Sequence, residues 1–373
     1  MPLSDAHFGR FSLFIKGGIM NKPSISFAPV LSLIQSARDK ALQSVNTTLI
    51  SLYWRIGEYV SHKVATEQWG NAVVKDLSNH IAHAIPSSKG FSDKNLWRMK
   101  QFYETYTGTE ILATPWRVLE EETKVASVRR VFSFEKTVLV RLNWSNHRLI
   151  FGQCKTKEER EFYIRLAVKE QYSVRELERQ IASGLFERVA LSKTKLSPLV
   201  RVFPQDAFPA IKDSYVFEFL NLPEPHSEND LQKAILQNLK KFLLEFSRDF
   251  AFLGEEFTLQ VGNKDFALDL LFFNRALNCL VAIELKVVDF VPEHLGKINF
   301  YLEALDRDVK KAHENPSIGI LLCKAKDDEV VEYAMSRQLS PAMVAQYQLQ
   351  LPDKKLLQAK LHEFFESNEK END

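Results

Sequence analysis

Cysteine is scarce in this sequence: Cys154, Cys279 and Cys323 are the only three in 373 residues, far apart and with no CxxC pair. That disfavours a disulfide framework or a structural zinc site and fits a reducing cytoplasm, the expected location. No apolar run approaches the roughly 20 residues of a membrane-spanning helix, so no membrane partner is expected. Internal repeats and low-complexity tracts are also missing. With 45% hydrophobic and 26% charged residues, wholly disordered, collagenous and coiled-coil classes are excluded. The length suits two ordinary domains.

Net charge is nearly absent too, at +1, but the balance is local. Residues 23–200 carry 26 basic against 18 acidic residues, and residues 201–373 carry 20 against 29. A basic half suits a polyanion, and an acidic half can hold cations.

Residues 1–22 do not form a signal peptide, because Arg10 and Lys16 interrupt the apolar residues and no small-residue cleavage pattern follows. Lys16-Gly17-Gly18-Ile19-Met20 is what a purine-rich ribosome-binding sequence, a spacer and a start codon would encode if translated. The segment is expected to be a misassigned start before Met20, or else a disordered tail.

Residues 23–195 read as a mostly α-helical domain that binds DNA or a partner. Val30, Ile34, Ala37, Ala41, Val45, Leu49, Leu52, Ile56 and Val60 recur at helical spacing. A second helix is expected from Asn71 to about Ala84 and a third, capped by Ser92, through Tyr106. Residues 107–130 read as an irregular connection. Thr156 with Glu159 and Ser173 with Glu176 are expected capping boxes. A proline-containing, linker-like segment (196–225) follows, then an α/β domain (226–373). That domain is expected to hold a helix from Glu228 to about Phe246, strands before and after the turn at Gly262-Asn263-Lys264-Asp265, a strand from Leu280 to Lys286, a helix from Pro292 to about Leu305, a strand from Ile318 to Cys323 and a helix from Asp327 to Met335.

The chemistry concentrates in two strands. Asp269 lies in Leu268-Asp269-Leu270, and Glu284-Leu285-Lys286 follows fifteen residues later. An ionised carboxylate among such apolar neighbours is costly unless it is paired or binds a cation. Adjacent strands are about 4.8 Å apart, so the two acids can converge on one ion. Lys286, two residues from Glu284, shares its face. Such a set suits phosphodiester hydrolysis: a hard ion such as Mg²⁺ takes one or two carboxylates and a phosphate oxygen, and an ammonium holds water or offsets transition-state charge. The competing reading is a buried Asp269–Lys286 or Glu284–Lys286 ion pair.

Residues 228–335 resemble the PD-(D/E)XK nuclease domain of the bacterial YhcG family, with an αβββαβ core. The resemblance rests on Glu228-Asn229-Asp230-Leu231, Phe266-Ala267-Leu268-Asp269-Leu270-Leu271-Phe272, Ile283-Glu284-Leu285-Lys286, Asn299-Phe300-Tyr301-Leu302, the run Asn315 to Lys324, and Asp327 to Ala334. Leu52 to Gly57, Gly90-Phe91-Ser92 with Asn95-Leu96, Trp144-Ser145 and Glu159 to Tyr163 resemble the helical domain of that family. The resemblance implies a Mg²⁺-dependent deoxyribonuclease, with Mn²⁺ as a substitute. Asp269 and Glu284 map onto metal ligands, Lys286 onto the catalytic lysine and Glu228 onto a helix acid that completes such sites. By its own surroundings Glu228 is either a ligand or an acid favoured by the start of its helix. The motif's proline is replaced by Leu268. Lys297 stands where a glutamine one turn before Tyr301 is expected, and it either contacts phosphate or competes with the metal. Tyr301 itself reads as core packing.

The segment Asn71–Tyr106 has a helix-turn-helix outline. Lys94, Asn95, Arg98 and Lys100 are its candidate DNA contacts. A second basic set is Arg129, Arg130, Arg141, Arg148, Lys155, Lys157 and Arg160. His80, His83 and His147 offer no convincing metal set. The alternative to the nuclease is a non-catalytic DNA-binding or adaptor protein of a DNA-processing or defence complex. A homo-oligomer or a partner protein engaged through the helical domain would fit either reading.

Overall fold

The computed structural model describes residues 28–109, 111, 134–192, 211–338 and 340–371. The Met20 start, nearly all of the connection expected at 107–130 (including Arg129 and Arg130), and Ser197-Pro198, Pro204 and Pro209 lie outside them.

The N-terminal region is helical: α1 (Ala28–Glu67), α2 (Asn71–Ala84), α3 (Asp93–Tyr106), α4 (Trp144–Gln153), α5 (Lys157–Lys169), α6 (Val174–Ala182) and α7 (Leu185–Leu191). The second half of α1 buries Ile50, Tyr53, Trp54 and Val60 in clusters with Leu96, Met99 and Phe102 of α3. The helices approach at Gly57, where an added Cβ would lie 2.1 Å from the Met99 carbonyl oxygen. The first half of α1 differs from expectation. Val30, Ile34 and Val45 of the anticipated apolar stripe are exposed, and no described residue covers them.

The caps follow local chemistry. Ser92 Oγ accepts the Asn95 N–H at 3.3 Å, and the Ser173/Glu176 capping box closes from both sides. The Thr156/Glu159 box forms only by half. Thr156 accepts the Glu159 N–H, but the Glu159 carboxylate turns to the Lys155 N–H at 2.8 Å and to Lys354.

The C-terminal region is a six-stranded sheet in the order β1-β6-β5-β4-β3-β2. Its elements are β1 (Ser214–Val216), α8 (Glu228–Gln237), α9 (Leu239–Phe246), β2 (Phe250–Val261), β3 (Lys264–Asn274), β4 (Cys279–Leu285), α10 (His294–Ala304), β5 (Asn315–Cys323), α11 (Asp328–Met335), β6 (Ala342–Gln348) and α12 (Lys354–Glu371). β2, β3 and β4 are antiparallel in sequence, while β4–β5, β5–β6 and β6–β1 pair parallel. One face packs on α8 and α9 through Leu231, Ile235, Phe242 and Phe246. The other packs on α10 through Ile298, Tyr301 and Leu302. Every residue of β4 is buried, as expected of a central strand covered on both faces.

Three features depart from the sequence reading. Ser214–Val216, within the expected linker, is a sheet strand, and Phe217, Phe219 and Leu220 after it join the core. The single helix expected from Glu228 to Phe246 is two helices, broken at Asn238, whose backbone leaves the helical region (φ −114°, ψ 26°) and whose side chain donates to the Ala234 carbonyl. A sixth strand, β6, and helix α12 follow the last helix anticipated.

The two regions meet around one buried acid. Glu245 at the end of α9 accepts from Arg179 of α6 at 2.8 Å and from Arg188 of α7 at 3.4 Å, and it takes the Val216 N–H at 3.1 Å. Arg179 also forks onto Glu218 at 2.6 and 2.8 Å. Among the described residues, no helix is long and apolar enough to cross a membrane.

Candidate active site

In the β3–β4 ladder, Leu270 stands opposite Ile283. One step further along that register are Asp269 and Glu284. Leu271 and Phe273 alternate with Asp269 on the face covered by α10, as do Leu280 and Ala282 with Glu284. The period of two therefore delivers both acids to one side of the sheet, at the ends of the two strands.

Glu284 is fully buried. Its Oε1 accepts from Lys286 Nζ at 3.0 Å and from Lys297 Nζ at 2.5 Å. Its Oε2 is buried and has no hydrogen-bond partner among the described residues. Asp269 Oδ2 accepts the Leu285 backbone N–H at 2.7 Å. Burial, then the charge of Glu284, pushes the Asp269 carboxyl up to about 6, against the pull of the Leu285 N–H, Lys297 and Lys286. Lys286 also donates to both oxygens of Glu228 at 3.1 Å, so it bridges Glu284 and Glu228. Burial works against the Lys286 ammonium, yet Glu284 and Glu228 outweigh it and hold its pKa above the usual lysine value. Burial likewise opposes the charge on Lys297, and Glu284 holds that pKa up.

The structure thus gathers Asp269, Glu284, Lys286, Glu228 and Lys297, but not as the expected three-acid cage. Among the described residues, no group of three or more His, Cys, Asp and Glu side chains is arranged to hold a metal ion. Glu228 is paired with Lys286 instead. It also stands in the first turn of α8, where the helix dipole favours an acid, while Ser227 and Asp230 form the capping box itself. Of the two ion pairs weighed from sequence, Glu284–Lys286 exists. It does not account for the neighbouring Asp269, or for the orphaned Glu284 oxygen. Two adjacent carboxylates, one raised by burial and then by the other, and one with an unpartnered buried oxygen, are a donor set that fits a hard divalent cation.

Three supports bear on the site. Gln232, one turn after Glu228 on α8, donates to the Asp269 backbone carbonyl at 2.9 Å; its i+4 spacing from Glu228 was the available signal. His294 opens α10 one turn before Lys297, and burial, then the Lys286 charge, lowers its pKa. Tyr301 is core-packed, as read from sequence, and its hydroxyl donates to the Ala267 carbonyl at 2.5 Å. Its ring also lies under Lys297, 5.5 Å from the ammonium.

In the helical region the DNA candidates separate. Asn95 is committed internally, donating to the Gly90 carbonyl at 2.5 Å and accepting from Trp144 at 2.9 Å. Lys100 pairs with Glu104 at 2.7 Å. Lys94 is exposed and Arg98 half-buried. Arg160 of the second basic set donates to the Lys155 carbonyl. His147 is buried in the core against Phe102, donates to the Leu139 carbonyl at 2.8 Å and has its pKa lowered by burial to about 4.

Comparison with known proteins bears on both regions. Residues 209–362 match the YhcG PDDEXK nuclease domain, and residues 29–188 match the DUF1016 N-terminal domain. The Escherichia coli (strain K12) protein named "Putative nuclease YhcG" is 33% identical over 345 residues, which cover 88% of this chain and 90% of that one. A crystal structure of a repair endonuclease from Pyrococcus abyssi aligns over 35% of this chain and 50% of that one, at 16% identity and a TM-score of 0.24.

Proposed function

The chain belongs to the YhcG family, and from that premise we propose that it is a metal-dependent deoxyribonuclease in which Asp269 and Glu284 hold a Mg²⁺ or Mn²⁺ ion. The observation that carries this reading is the pair of adjacent carboxylates with the Glu284 Oε2 atom buried and unpartnered. A buried carboxylate oxygen left without a partner is costly, and a cation held between Asp269 and Glu284 would satisfy it. When bound, the divalent ion would supply Lewis-acid stabilisation of the phosphate and lower the pKa of water.

The protein's own groups have distinct roles in this reading. Leu285 N–H orients Asp269, and Gln232 fixes the backbone of the same residue. Lys286 stays an ammonium, because Glu284 and Glu228 hold its pKa up. It therefore donates hydrogen bonds to water or to a non-bridging phosphate oxygen and does not serve as the base. Glu228 keeps Lys286 aimed at the carboxylates. DNA would be gripped by the basic helical region, with Lys94 and Arg98 as its contacts on α3.

Cleavage of linear, circular and branched DNA with Mg²⁺ and with excess chelator tests the reading. Cleavage that needs the cation and is lost in Asp269→Asn and in Lys286→Ala is expected. Chelator-insensitive cleavage, or full activity in either variant, would sink the mechanism. DNA binding without cleavage by the native chain under any divalent ion would favour the adaptor reading.

A further inference from the structure

The arrangement of ammonium groups around Glu284 goes one step further. Glu284 has two oxygens in different states. Oε1 carries two ammonium groups, Lys286 at 3.0 Å and Lys297 at 2.5 Å. Oε2 carries none. On the neighbouring strand, Asp269 Oδ2 is engaged by the Leu285 N–H. The acceptor capacity left at the strand ends therefore suits one cation.

Lys297 is not placed there loosely. It lies on α10 one turn before Tyr301, whose ring runs beneath its ammonium. Tyr301 is pinned by its hydroxyl on β3. The side chain of Lys297 remains 46% exposed. It thus has one end on a buried acid and an open path to solvent, where a polyanion would approach.

Charge counting agrees. Asp269, Glu284 and Glu228 against Lys286 and Lys297 leave one net negative charge among these five groups. One divalent ion turns that into one positive charge, suited to a phosphodiester. A second would leave three positive charges in a partly buried space, which is costly.

Resting on the metal-dependent reading above, we propose that Lys297 takes the place of a second metal ion: it limits the site to one divalent cation and passes from Glu284 Oε1 to a phosphate oxygen of the substrate when that cation binds. Lys297 is then a determinant of metal number and a direct substrate contact.

The test uses the full chain and Mn²⁺ as the probe, with bound ions counted by calorimetry and electron paramagnetic resonance. Circular dichroism and thermal unfolding check that each variant is folded. The native protein and Lys297→Arg should each bind one Mn²⁺. Lys297→Gln should bind a second ion, or hold the first roughly tenfold more tightly once the competing charge is gone. With Ca²⁺ in place of Mn²⁺, Lys297→Gln should also lose several-fold in affinity for duplex DNA. An unchanged ion number and affinity in folded Lys297→Gln would overturn the inference and leave the nuclease reading intact, as would two ions in the native chain. No Mn²⁺ bound by native protein or variant would overturn the metal-dependent reading and this inference with it.

Discussion

Asp269 Oδ2 accepts the Leu285 backbone N–H at 2.7 Å, so a side chain continues the β3–β4 ladder just past its last paired residues, Leu270 and Ile283. The bond orients the acid but does not make its charge comfortable. Burial and Glu284 still raise its pKa to about 6.

That shift has a definite sign. A carboxyl raised in the folded state binds its proton more tightly there than in the unfolded chain. Its contribution is favourable below the ordinary pKa near 4 and is lost as pH rises through about 6. Asp269→Asn, which keeps an acceptor for Leu285, should be more stable than the native protein above pH 6, by on the order of 2 kcal/mol. The difference should close toward pH 4. Unfolding curves from pH 4 to 8 without divalent ions check this, and equal stability at pH 7.5 contradicts it.

Lys286→Ala separates chemistry from structure. Lys297 still reaches Glu284, but Glu228 loses its partner. Cleavage should fall by at least about a hundredfold, while divalent-ion affinity is retained or rises slightly. Calorimetric titration beside the nuclease assay gives both readouts. Loss of ion binding in step with activity would show that the lysine supports the metal site itself.

Glu245 is the electrostatic centre of the contact between the two regions. Burial opposes its charge, yet Lys212, Arg188 and Arg179 hold its carboxyl down at about 2. This group's stabilisation is present above the ordinary carboxyl pKa and is lost as pH falls through about 2. Glu245→Gln should cost about 3–5 kcal/mol at neutral pH, because buried cations lose their counter-charge. Denaturant unfolding at pH 7 measures it, and a change under 1 kcal/mol would refute the assignment.

On the proposed reading, Lys94 and Arg98 of α3 would meet phosphate. Changing both to Gln should lower the slope of log affinity against log salt by about 1 to 2, as two counterion-releasing contacts are lost. Lys100→Gln, whose ammonium is already on Glu104, should change it less. Fluorescence anisotropy with an Asp269→Asn background reads the slopes, and identical slopes would move the DNA contact off α3.

Gly57→Ala tests the packing of the helical region. The new methyl would meet the Met99 carbonyl oxygen at 2.1 Å, and backbone cannot give way as a flexible side chain can. A loss of more than about 2 kcal/mol is expected, read as a lower melting temperature. Native-like stability would mean that α1 and α3 can separate.

The site was legible where a period of two met chemistry. Asp269 and Glu284 stand at fixed alternation on apolar strands, with Lys286 one residue past the end of β4, and their convergence followed from strand geometry. The role of Glu228 was not legible, because a carboxylate one residue into a helix has the same local pattern whether it holds a metal or a lysine 58 positions away. Strand β1 was hidden for a similar reason. Ser214–Val216 is three residues long, and its pairing with Gln346–Gln348 is set by the sheet. The exposed stripe on α1 shows the converse: helical spacing predicted the helix correctly and its burial wrongly. The contact between the regions had no sequence signature, since Arg179 and Glu245 are 66 residues apart.

The last helix returns to the first region. From β6 the chain runs into α12, where Lys354 bonds Glu159 of α5 at 2.8 Å and Gln358 bonds Glu187 of α7 at 3.0 Å. The polypeptide therefore crosses between its two parts twice, and the second crossing is a latch of side chains. A protease cut between Ser192 and Ile211 would break the first crossing only. The fragments would stay together through Arg179, Arg188 and Lys354, and the nicked protein would keep the mass and mobility of the intact one until acid or salt opened the latch.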